Sequence, residues 1–164
     1  MKAKTSAGRI IGIFMVLALV LATLHTPSEA IAAGKAAANR KAVLKIVNSE
    51  RKKNGRGRLV LDSTLSKAAQ KRAKEIAKHF SHERPDGSDC FTVLKEYDIS
   101  YDICGENIAA GYSQSTAAKV MDLWMNSEGH RKNILYKQFN KIGVGYYKKK
   151  GTGSKYYWVQ IFSD

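Results

Sequence analysis

Lys155-Tyr156-Tyr157-Trp158-Val159-Gln160-Ile161-Phe162-Ser163 is the stretch that decides the fold. Tyr157, Val159 and Ile161 alternate with Trp158, Gln160 and Phe162, so a strand built from it turns large apolar side chains to both of its faces. Such a strand belongs in the middle of a sheet with helices above and below. Its partner precedes it directly: Lys141–Lys149 carries Ile142, Val144 and Tyr146 at alternating positions, and Gly151-Thr152-Gly153-Ser154 joins the two as a hairpin loop.

Working back from the hairpin, the pattern changes to a helical period. Ala117, Val120, Met121, Trp124 and Met125 form the inner stripe of a helix capped by Ser115. Residues 101–111, punctuated by Gly105 and Gly111, read as loop or strand. Phe91, Val93 and Leu94 suggest a short helix after the Pro85-Asp86-Gly87 turn. Asp62 or Ser63 caps an earlier helix whose inner stripe is Leu65, Ala68, Ala69, Ala73, Ile76, Ala77 and Phe80. So many alanines on one stripe imply close approach to another layer. Lys67, Lys71, Arg72, Lys74 and Lys78 read as its solvated face. The first helix starts near Lys41, buries Val43, Leu44, Ile46 and Val47, leaves Lys45, Glu50, Arg51 and Lys52 mostly outside, and stops at Asn54-Gly55. Early helices, late antiparallel strands and two covered faces define an α+β fold, a three-layer α-β-α sandwich around a mainly antiparallel sheet.

The N-terminus reads differently. Lys2, Lys4 and Arg9 precede an apolar run at residues 10–24, short for a membrane span of ~20 residues. Ser28-Glu29-Ala30 follows with small residues at the spacing of a cleavage site, and Ala30-Ile31-Ala32 offers a second cut. Residues 1–30 are therefore expected to be a secretory signal peptide, 31–40 a linker and 41–164 the folded domain, acting as a monomer outside the cell, free or held at the envelope. The alternative is an uncleaved anchor. Cutting after Ala30 removes Lys2, Lys4, Arg9 and Glu29, which lowers the formal charge from +14 to +12. A secreted domain of that charge is drawn to an anionic envelope polymer, a lipid surface or an acidic protein partner. Nucleic acid is not expected, since no recognition motif for it is present. The charge also has a plainer use, keeping a small protein soluble. Cys90 and Cys104 are an even pair in an oxidising compartment and are expected to form a disulfide worth ~3 kcal/mol.

Three polar islands remain: Ser81-His82-Glu83-Arg84, Gly105-Glu106-Asn107-Ile108, and Asn126-Ser127-Glu128-Gly129-His130-Arg131. His82 and His130 lie off every apolar stripe, whereas His79 sits where it can serve a helix C-terminus. Glu106 between a glycine and an asparagine faces a cleft or caps a loop. If Gly129 breaks the helix into extended backbone, Glu128 and His130 point the same way. Two imidazoles and two carboxylates, His82, Glu106, Glu128 and His130, can hold a divalent metal, zinc first, or work as an acid–base cluster. Asn107 and Asn133 are more economically read as ties for loop backbone.

Those islands, with Ile142-Gly143-Val144-Gly145 and Tyr157-Trp158-Val159-Gln160-Ile161-Phe162, resemble the CAP superfamily, also called the SCP or pathogenesis-related-1 domain, and its bacterial secreted branch in particular. The resemblance spans residues 43–162. It implies an α-β-α sandwich with a cleft of two histidines and two acids, occupied by a divalent metal in some members. Members have been linked to sterol and lipid binding, to proteolysis and to cell-surface interaction. Position by position, His82 and His130 look like the cleft histidines and Glu106 like the first acid. The second acid departs from the pattern: bacterial relatives often carry proline where Glu128 stands, and the eukaryotic acid falls at Ser127. Three functions follow: a secreted binding protein with a cation-holding cleft, a hydrolase of peptide or glycan using His82, Glu106, Ser127 and His130, or an envelope protein whose cleft is vestigial.

Overall fold

The computed structural model describes residues 27–151 and 154–164. The leader expected in residues 1–30 lies almost wholly outside them, as do Thr152 and Gly153 of the hairpin loop. In chain order the elements are α1 (Pro27–Lys53), β1 (Val60–Leu61), α2 (Ser63–Glu75), α3 (Thr92–Lys95), β2 (Cys104–Gly111), α4 (Ala117–Met125), α5 (Glu128–Ile134), β3 (Lys141–Lys149) and β4 (Lys155–Ser163). The sheet runs β1-β3-β4-β2, with β4 inside it as its two apolar faces require. Only the two-residue β1 runs parallel to its neighbour; β3–β4 and β2–β4 are antiparallel. Among the described residues no helix is long and apolar enough to cross a membrane.

The two faces carry separate cores. On one, Val43 and Val47 of α1 and Val120, Met121 and Trp124 of α4 pack on Ile142, Val144, Trp158 and Phe162. On the other, Leu65, Ala68, Ala69 and Ala73 of α2 pack on Val159 and Ile161. The alanine stripe has the partner it called for. Gly143 and Gly145 let the backbone of α2 lie directly on β3: an ideal Cβ on Gly145 would stand 2.0 Å from the Ala69 carbonyl oxygen. Asp62 caps α2, its carboxylate accepting from the Leu65 N–H at 2.6 Å.

Several expectations need correction. The stretch read as a linker, residues 31–40, is helical, because its alanines are strong helix formers and outweigh the one glycine among them, Gly34. Helix α2 stops at Glu75 and leaves Phe80 56 % exposed. Thr116, not Ser115, caps α4. Gly129 does not break the chain into extended backbone. The break is at Ser127 (φ −105°, ψ 123°), and Gly129 lies in the first turn of α5. Two arginines assigned to solvated faces, Arg51 and Arg72, are fully buried. Cys90 and Cys104 are free thiols rather than a disulfide. Cys90 Sγ lies beside Glu106 and His82, while Cys104 engages Tyr101. Burial raises both thiols, Cys104 to about 11, and the Glu106 charge adds to the rise at Cys90.

Candidate functional site

Strand β2 is the edge strand of the sheet, and the site is built along it. Glu106 points to the α2 side, and its side chain is 2 % exposed. A carboxylate so far from water needs compensating charge. Arg72 supplies it as a fork: Nε donates to Oε2 at 2.8 Å and Nη2 to Oε1 at 3.2 Å. Nη2 of the same guanidinium also holds the Ser81 carbonyl at 2.8 Å, which fixes the backbone leading into His82. His82 Nδ1 then meets Glu106 Oε1 at 2.9 Å, with more than half of its side chain still in solvent.

Alternating charge continues outward from this pair. Glu75 accepts from Arg72 Nη1 at 3.0 Å and from Arg84 Nη2 at 2.6 Å. Arg84 reaches Glu96 at 2.7 Å, and Glu96 pairs with Lys71 at the surface. Burial alone would raise the Glu106 carboxyl, but hydrogen bonds from His82 and Arg72 with the Arg72 charge hold it below the usual carboxylate range. It stays ionised and fixed in place.

The second histidine arrives from the other layer. Ser127 opens α5, and its hydroxyl meets His130 Nδ1 at 2.8 Å instead of capping the helix. Asn107 Nδ2 donates to the His130 carbonyl at 3.1 Å and to Gln160 Oε1 at 3.0 Å. Asn133 Nδ2 donates to Asn107 Oδ1 at 2.9 Å and to the Glu106 carbonyl at 3.2 Å. Both asparagines are thus the backbone ties their sequence context suggested. Burial lowers the His130 pKa, and the charge of nearby His82 lowers it further.

His82 and His130 open onto one groove of about 620 Å³ over the β2 edge, with Phe80, Ile108, Ala110 and Leu123 among its walls. Each ring has its Nδ1 engaged, so Nε2 is the free nitrogen of both. Glu128 is not brought there. It is exposed and lines a separate hollow with Arg131 and Lys132, because two positions apart on a continuous helix point in different directions. Donor atoms of His82, Cys90 and Glu106 also fall within 4.8 Å of one another. That trio suits a cation poorly: Glu106 already accepts from three N–H groups or ring nitrogens, and Cys90 is held as a neutral thiol. Two imidazoles with Nε2 free, one backed by a carboxylate, do suit zinc.

The residues that reading the sequence missed are Arg72, Glu75 and Arg84. A signal was present: Arg72 stands four after Ala68 and three after Ala69, inside the buried stripe.

The sequence profile of the cysteine-rich secretory protein (CAP) family matches residues 44–162, and the chain belongs to that family. It is 41 % identical over 139 residues to the uncharacterized protein YkwD of Bacillus subtilis (strain 168), covering 84 % of this chain and 51 % of that one. It superposes on an extracellular protein containing a SCP domain from Bacillus anthracis str. Ames with TM-score 0.69 at 29 % identity, over 78 % of this chain and 41 % of the other. NaASP2, crystallised with Zn2+, shares the fold at TM-score 0.55 and 16 % identity, over 76 % of this chain and 78 % of that one. The chain spans about half the length of YkwD and less of the Bacillus anthracis protein.

Proposed function

We propose that the chain is an exported binding domain whose cleft holds a divalent cation, zinc first, between Nε2 of His82 and Nε2 of His130, and whose basic surface docks an anionic partner at the envelope. Residues 1–30 direct the export, and Ala30 or Ala32 precedes the cut. The observation that supports it is that the two histidines line one groove with both Nδ1 atoms tied, by Glu106 and Ser127. Glu106 serves as the carboxylate behind the His82 ring rather than as a ligand, and it holds the tautomer whose Nε2 lone pair faces outward. Bound there, zinc would supply Lewis acidity and a fixed positive charge to whatever group enters the groove. Glu128 is left out of the site. NaASP2 with its Zn2+ is a precedent in the fold.

Titration calorimetry with zinc chloride on the wild type, His82→Ala and His130→Ala tests this. Saturable heat in the wild type and its loss in either variant is expected. Equal, negligible heats in all three would remove the metal.

A second reading is a hydrolase, favoured by the Ser127 hydroxyl 2.8 Å from His130. It lacks an acid on the far side of that imidazole among the described residues, and Glu106 is locked to Arg72. Turnover of casein or cell-wall glycan that falls in Ser127→Ala would promote it above the binding reading.

A further inference from the structure

Far from the cleft, the opposite edge of the sheet carries a second groove. Strand β1 pairs only with Lys141 and Ile142, so the rest of β3 has no strand on that side. Side chains take its place. Ser66 Oγ accepts from the Val144 N–H, and Gln70 Oε1 accepts from the Tyr146 N–H at 3.2 Å. The Val144 carbonyl accepts from Arg40 Nε at 3.0 Å, and the Tyr146 carbonyl from Gln70 Nε2 at 2.8 Å. Beside this capped edge lies a hollow of about 500 Å³ lined by Lys35, Arg40, Lys74, Lys148 and Lys150, with Gln70 and Tyr146. An adjoining hollow shares Arg40, Gln70 and Lys74 and adds Lys67 and Lys71. Among the described residues no acidic side chain lines either one, and of their lysines only Lys71 is engaged by an acid, Glu96 at the surface.

Arg40 distinguishes this place from an ordinary basic surface. Its guanidinium is half-buried, yet its hydrogen bonds go to a carbonyl and an amide oxygen, and among the described residues no carboxylate pairs with it. Burial lowers its pKa with no charge partner to compensate. By contrast Arg72 and Arg84 each hold carboxylates. A partly desolvated cation facing a concavity ringed by lysines favours an anion there. The cations are also strung out in line. Lys67, Lys71 and Lys74 follow one face of α2 at intervals of four and three residues, about 10 Å end to end, and Lys148 and Lys150 continue past them.

We propose that this groove, from Lys67 to Lys150 across Arg40 and Lys74, is the docking site for a linear phosphate polymer. The proposal deepens the reading of a basic surface with an anionic envelope partner, and rests on it. A flat lipid surface cannot follow a concave track to a half-buried guanidinium. A nucleic acid strand would want a row of exposed aromatic platforms for its bases, and among the described residues the two hollows offer only the buried Tyr146 and the half-buried Tyr97. A flexible chain of phosphates needs only the line of cations.

Inorganic polyphosphate is the probe, with binding followed by fluorescence anisotropy across a salt series. The groove variant is K74Q/K148Q/K150Q, three exposed lysines whose loss spares every edge-capping bond. Its control, K41Q/K45Q/K52Q, removes the same charge from another basic hollow, near Asn48 on α1. The groove variant should bind at least about tenfold more weakly and show a flatter dependence of log K on log salt, while the control stays close to wild type. Equal weakening in both would mean diffuse attraction and would overturn the groove while leaving the basic-surface reading in place. No binding by the wild type would overturn both. Tighter binding of a single-stranded oligonucleotide or of anionic vesicles than of polyphosphate would overturn the choice of polymer. Zinc calorimetry on the groove variant should match wild type, which separates this site from the cleft.

Discussion

The two open edges of the sheet are closed by the same device with opposite chemical results. At β2, Asn133 and Trp124 donate to the carbonyls of Glu106 and Ile108. At β3, Ser66, Gln70 and Arg40 satisfy Val144 and Tyr146. Side chains that cap an edge stop it from recruiting a foreign strand. They also decide what is left facing solvent. At β2 a buried guanidinium is spent on a buried carboxylate, and imidazoles face out. At β3 the guanidinium has no acid, and cations face out. Both faces of the sheet are consumed by helices, so the edges are where this fold has room for ligands.

The strongest way to break the comparison is to remove the arginine at each edge. Arg72→Met strands the buried Glu106 charge and should cost about 3–5 kcal/mol in urea unfolding. Arg40→Met removes hydrogen bonds to uncharged acceptors from a half-buried group and leaves no buried charge stranded, so it should cost only about 1–2 kcal/mol. Equal losses would mean that Glu106 is not charged in the folded protein.

Helix α2 serves both edges, with Arg72 reaching one and Gln70 and Lys74 the other, so its seat on β3 is the point they share. Gly145→Ala places a methyl against the Ala69 carbonyl, where backbone rather than a flexible side chain must yield. The expected cost is about 1–3 kcal/mol, with zinc and polyphosphate binding weakened together. A variant that lost one ligand and kept the other would show that the edges are independent. A smaller and one-sided effect is expected of Asn107→Ala. It frees the His130 carbonyl and breaks the tie to Gln160, for about 1–2 kcal/mol, and should weaken zinc but not polyphosphate.

How much of this could be read without coordinates depends on which physical effect governs each element. The sandwich was legible because Trp158 and Phe162 against Val159 and Ile161 leave β4 no place but the interior, and the alanines of α2 implied the close approach that Gly143 and Gly145 of β3 permit. Burial of apolar area sets those, and it is periodic in the chain. The buried arginines were misplaced for the opposite reason. Arg51 follows Val43 and Val47 on one stripe, and Arg72 follows Ala68, so spacing pointed inward while residue type pointed outward. Spacing was the better guide, because a guanidinium that finds the carbonyls of Gly57, Ile134, Tyr136 and Phe139, as Arg51 does, loses little by burial. The pairing of His82 with Glu106 spans 24 residues, with α3 between them, and has no local signature. Glu128 was drawn into the site by a helix break that the chain makes two residues earlier, at Ser127.

The edges should also differ in how they respond to acid. His130 has a folded pKa depressed from 6.5, first by burial and then by the charge on His82. Below 6.5 the unfolded chain therefore binds a proton the folded chain resists, so stability held above that pH is lost as pH falls through the lower folded value. Glu106 is depressed from 4.5, and its contribution is lost later, as pH falls through its own folded value. Arg40 remains charged over the whole range. Metal-free protein, melted in urea at a series of pH values, should thus lose stability in two acid steps, and His130→Gln should remove the first while leaving the second. NMR titration of the His130 ring gives the direct check: a midpoint at or above 6.5 would mean that its imidazole is neither buried nor close to His82, and the shared groove at β2 would go with it.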